Sequence, residues 1–151
     1  MFSIHILLLI GHILFASVTV GATVSYAFWI ALAELEPRHL AFTIRAVRHS
    51  DRLVAIPAYL LTFVTGIWLV YESGVPLDRL WIVVSLVVYL AVLVVGFAVF
   101  GPTVRRELVA LERGGVNDAE YRRLRGQAQL LSLGTIAALA MILALMVVKP
   151  Y

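Results

Sequence analysis

The chain has 151 residues, 62% hydrophobic and 14% charged, with a formal charge of +3 and no cysteine. Soluble domains carry roughly 25% charged residues, so this composition argues against a water-soluble fold. The lack of cysteine excludes disulfides, thiolate metal sites, iron–sulfur clusters and covalently attached c-type haem.

Four charge-free stretches follow one another: Ser3 to Ala33, Leu53 to Tyr71, Leu80 to Val104 and Gly126 to Val148. Each approaches or exceeds the ~20 residues a helix needs to cross a bilayer core. The reading is an all-α fold, a four-transmembrane-helix antiparallel bundle forming a single domain over 1–151, with helices at about 3–34, 41–71, 79–112 and 119–148. The N-terminus lacks the basic start and short apolar core of a signal peptide and is expected to remain as helix 1.

The first stretch places His5, His12, Thr19 and Tyr26 seven residues apart, with Ala16 and Thr23 beside them. Such a stripe of polar and small residues belongs on the bundle-facing side, with Gly11 and Gly21 expected to add close contacts. Thr62, Thr65 and Gly66 of helix 2 and Ser132, Gly134 and Thr135 of helix 4 are the expected counterparts. Helix 2 should begin in the polar segment after Pro37, where Arg45, Arg48 and Arg52 recur at helical spacing. The turn with Gly74 and Pro76 makes helices 2 and 3 antiparallel neighbours. Helix 3 should run past Pro102 and end at Gly114 and Gly115, and Asn117 to Glu120 reads as an Asn N-cap for helix 4.

Arginines concentrate between helices 1 and 2 and between helices 3 and 4, whereas the other side has only Arg79 and Lys149. The positive-inside rule predicts a multi-pass protein of the cell (inner) membrane, with cytoplasmic arginine-rich loops and termini outside. The basic residues meet membrane lipid headgroups, and nothing calls for nucleic acid.

His12 carries the chemistry. It lies about 15 Å along the helix from Phe2, inside the apolar slab, where an imidazole needs a partner for its polar nitrogens. Two uses stay open: a neutral ring bonded to a neighbouring helix, or a metal ligand or proton-handling group. His5 and His12 share a helix and cannot clamp one iron from opposite faces. His39 and His49 read as interfacial. A haem on His12 would need a weak second ligand, an open position or a residue of another subunit. Met141 and Met146 are possible second ligands but read first as packing residues. Arg79 and Lys149 can pair with carboxylates such as haem propionates, or snorkel to lipid phosphate. Glu34 and Glu36 read as capping or solvated.

GHILFASVTVG in helix 1, TGIWLV at 65–70 and VVKPY at 147–151 together resemble the HemJ-type protoporphyrinogen oxidases and related uncharacterised four-helix integral membrane proteins. The resemblance implies a b-type haem with His12 as iron ligand, and oxidation of protoporphyrinogen IX as the activity. It assigns Gly66 and Trp68 to a Gly-x-Trp element and Lys149 with Pro150 to a closing Lys-Pro. The enzymes' lysine near the start of helix 3 has no equivalent here, where Arg79, Trp81 and Ser85 stand. Their Asn-Glu-x-Pro element is also missing at the start of helix 4. The chain therefore sits closer to the uncharacterised branch.

Two functional readings follow. One is a haem b redox protein with His12, Trp68, Arg79 and Lys149 around the cofactor, exchanging electrons with quinone, porphyrin or another membrane protein. The other is a non-catalytic scaffold or small subunit that binds lipid, a second copy of itself or a partner membrane protein. No carboxylate relay, hydrolase metal spacing or nucleotide loop is present, and four helices without a repeat argue against a transporter.

Overall fold

The computed structural model describes residues 4–149, so Ser3 and the Pro150 of the closing Lys-Pro lie outside the described residues. The fold is all-helical, with four helices long and apolar enough to cross a membrane: α1 (Ile4–Glu34), α2 (Pro37–Ser73), α3 (Leu80–Gly114) and α4 (Ala119–Val148). Among the described residues there is no strand. α1 packs along α2 and α3 along α4, and α1 also touches α4.

Helix α2 starts at Pro37, four residues before position 41. Proline suits the first helical turn because its missing N–H would have no partner there. Gly74 and Gly115, at φ +64° and +73°, end α2 and α3 in the left-handed region that glycine enters without a Cβ penalty. The N-cap of α4 is Asp118, not Asn117. Its Oδ1 accepts the Tyr121 N–H at 2.9 Å, the usual reach from N-cap to third helical residue.

Two π turns interrupt the long helices, at Asp51–Ala55 in α2 and Gly96–Phe100 in α3. Each is followed two residues on by proline, Pro57 and Pro102. Proline has no N–H for the carbonyl four residues back, and its ring clashes with that carbonyl. The helix widens instead: Ile56 N–H donates to the Asp51 carbonyl and Gly101 N–H to the Gly96 carbonyl. Local adjustments of this kind are what make proline tolerable in a membrane-spanning helix.

The packing falls into two parts. At the arginine-rich end, Leu40 and Ile44 of α2 are fully buried against Ile30 and Ala33 of α1, Leu108 and Leu111 of α3, and Leu124 of α4. Here α2 and α3 have charged outer faces. At the other end the core is small, built on Tyr89, Leu139 and Ile142.

Charged side chains tie the first part together. Arg125 of α4 pairs with Glu34 of α1 and lies 3.9 Å from Glu107 of α3, whose side chain is only 2% exposed. Arg45 of α2 pairs with Glu112 of α3. Glu34 is therefore an interhelical partner rather than a solvated cap. Glu36 stays at the surface, 3.1 Å from both Arg38 and His39.

Candidate functional site

The stripe on α1 faces inward as its spacing predicts. His12 and Thr19 are buried, while Ile13, Leu14 and Val18 are exposed around them. Gly21 and Gly134 make no close approach, since a Cβ at either would meet nothing within 4 Å, and at Gly11 the nearest atom is 3.8 Å away on Phe15 of the same helix. The close approach is at Gly66, where an added Cβ would stand 3.0 Å from His12 Cε1. A bare glycine on α2 thus lets the imidazole lie against that helix.

The ring is held from the same side. His12 Nδ1 is 3.0 Å from the Thr65 hydroxyl, and the Thr62 carbonyl is a further acceptor beside it. Thr65 gives its one proton to the Leu61 carbonyl at 2.6 Å, so it meets the imidazole as an acceptor. Nδ1 therefore carries the proton, and a neutral ring keeps its lone pair on Nε2.

His12 lines a cavity of about 100 Å³ between the four helices. Thr62 and Gly66 of α2, Trp81, Ser85 and Tyr89 of α3, and Ile142 and Met146 of α4 complete much of its wall. Tyr89 is its structural tie: the ring stacks on Phe63 at 6.1 Å and the hydroxyl donates to the Tyr59 carbonyl at 2.8 Å. Tyr59 in turn bonds Thr23 of α1 at 3.0 Å.

Among the described residues, three side chains have a buried polar atom without a hydrogen-bond partner: Thr19, Ser85 and Glu107. Thr19 and Ser85 both line the cavity. A buried hydroxyl left unpaired costs about 1–3 kcal/mol, and both oxygens are covered by neighbouring atoms rather than open to the cavity, whose surface is almost wholly apolar.

The residues singled out from sequence divide. His12 and Gly66 sit on the cavity wall. Lys149 reaches it indirectly, its ammonium 6.0 Å from the centre of the Trp81 ring. Arg79 precedes α3 on the exposed rim, two residues before Trp81. Trp68 is 48% exposed and does not line the cavity, and Met141 is exposed whereas Met146 lines the wall. Among the described residues no three His, Asp or Glu side chains group as a metal site. Tyr89 and the unpaired Thr19 and Ser85 were not legible as a set, because they line one cavity only when all four helices are assembled.

A tetrapyrrole does not fit this cavity with the helices as they stand. Pockets for molecules of drug size run about 300–1,000 Å³, whereas about 150 Å³ is enough to hold benzene. The available volume, about 100 Å³, is below even that of the benzene site, so any ring enters only if the helices move apart.

Fold and cavity together define a polytopic membrane protein with a small apolar space among its helices. The chain belongs to the family described as predicted integral membrane protein (DUF2269), whose model matches residues 6–150. No curated protein and no solved structure matches it.

Proposed function

We propose that the cavity binds the ring head of a membrane-dissolved redox molecule of the quinone class. The observation that carries this reading is the pair of unpartnered hydroxyls, Thr19 and Ser85, on the same apolar wall as His12. A quinone head is a flat ring whose oxygens accept from hydroxyls, and a modest parting of the helices would both admit it and uncover Thr19 and Ser85. In the quinol form its O–H would donate to the lone pair on His12 Nε2. Thr65 would hold the ring proton at the opposite nitrogen, so the imidazole is already set as an acceptor.

Haem b on His12 is the second reading. It is supported by the resemblance in helices 1, 2 and 4 and by one observation, the anchored Nδ1. Histidines that ligate metal commonly donate their other N–H to a fixed acceptor, as His12 does to Thr65. Haem would supply one-electron chemistry, and Arg79 and Lys149 would be the cations available to its carboxylates. α2 and α3 would have to part to admit it. On either reading the arginine-rich loops face the cytoplasm of a cell membrane and the termini face outward.

Absorption spectra and fluorescence titration separate the readings. A short-tailed quinone added to the detergent-purified chain is expected to quench Trp81 fluorescence in a saturable way, and Thr19→Val with Ser85→Ala to abolish saturation. A Soret band lost in His12→Ala supports haem. A colourless protein with no saturable quenching leaves the scaffold. Labelling of Ser73→Cys from outside, and of Gly115→Cys only after permeabilisation, tests the orientation.

A further inference from the structure

A second site lies at the arginine-rich end. Pro102, Arg105, Arg106, Val109, Arg113 and the first turn of α4 at Glu120 enclose an open groove of about 490 Å³. Three arginines face one glutamate there. Among the described residues no carboxylate is within ion-pair distance of Arg105, Arg106 or Arg113, although Arg38, Arg45 and Arg125 all have acidic partners. Arg48 of α2 sits close enough to feel both Arg52 and Arg105, with Asp51 the nearby acid. Like charges gathered across two helices repel one another unless an anion joins them.

The level of the groove says which anion. Arg105 directly follows the charge-free run Leu80 to Val104, and Arg52 directly precedes the run Leu53 to Tyr71. Both stand where apolar helix surface gives way to polar, the depth of lipid phosphates. Pro102 and Val109 provide apolar surface beside the guanidinium groups.

We propose that Arg105, Arg106 and Arg113 of α3 bind the phosphate of an anionic phospholipid headgroup. Guanidinium forks match phosphate oxygens in pairs, giving this cluster a geometric preference beyond plain charge.

The full chain, stripped of lipid in a neutral detergent, is titrated with phosphatidylglycerol, phosphatidylcholine or inorganic phosphate at matched ionic strength. Thermal unfolding is the readout. Phosphatidylglycerol is expected to raise Tm, and Arg105→Gln with Arg106→Gln to require about tenfold more lipid for the same rise. Arg122→Gln with Arg123→Gln removes equal charge from exposed positions on α4 and should leave the titration unchanged. Arg113→Gln alone should give a smaller weakening in the same direction. Equal response to phosphatidylcholine, equal weakening by both double variants, or an equal effect of inorganic phosphate would overturn the proposal.

Discussion

The two ends of the bundle are held by different physics. At the arginine-rich end, α2 and α3 extend beyond their apolar runs with charged outer faces, and Leu40, Ile44, Leu108 and Leu111 are shielded from water behind them. The hydrophobic effect operates there as in a soluble protein. At the other end the surroundings are lipid, no more hostile to leucine than the interior is, and only close packing and hydrogen bonds favour association. A bundle fastened at one end can leave a cavity at the other without falling apart. The larger packed core and the apolar cavity thereby fall in different halves of the same four helices.

Substitutions can break or sharpen that contrast. The largest effect is expected from Arg125→Ala above the Glu107 pKa, which burial pushes up to about 7. There the carboxylate is left buried without its cation, at a cost of about 3–5 kcal/mol that shrinks at lower pH as the carboxyl takes a proton. Adding Glu107→Gln should restore a good part of the loss, measured by thermal unfolding in detergent. Ile44→Ala should cost about 2–5 kcal/mol. Ile142→Ala, in the lipid-embedded half, should cost about 2 kcal/mol less than Ile44→Ala, because three carbons no longer carry a water-transfer contribution. Equal losses at the two positions would erase the distinction. Gly66→Ala should cost about 1–3 kcal/mol by pushing the His12 ring off α2, and should impair quinone quenching more than it impairs stability.

Thr19→Val gives the smallest effect and the most telling sign. It replaces an unpaired buried hydroxyl by a methyl of similar shape, so the unliganded protein should gain up to about 1 kcal/mol. Quinone affinity should fall at the same time. A Thr19→Val protein that is less stable would mean that the hydroxyl already has a partner, and the cavity would lose its claim on a ligand.

Much of the architecture could be read along the chain. The apolar runs were long and clean, and the seven-residue stripe on α1 named the face on which His12 and Thr19 are buried. The cap of α4 was misplaced by one residue because Asn117 and Asp118 are both good N-caps, and only backbone geometry shows that Asp118 is the one bonded to Tyr121. Glu34 was read as solvated because its partner, Arg125, is distant in sequence and reaches it only through packing of α1 on α4. The site was legible in its histidine and in Gly66. Trp68 followed from a short motif on α2, yet its side of the helix is exposed.

The π turns carry a consequence for register. Each holds one residue more than a regular turn, so everything beyond it is rotated by about 100° compared with an unbroken helix. Removing Val54 or Ala98 would restore the ordinary count while swinging a whole wall of the cavity aside: Thr65 and Gly66 would leave His12, or Ser85 and Tyr89 would turn toward lipid. A single-residue deletion far from the imidazole would then empty the pocket more thoroughly than any one side-chain replacement within it.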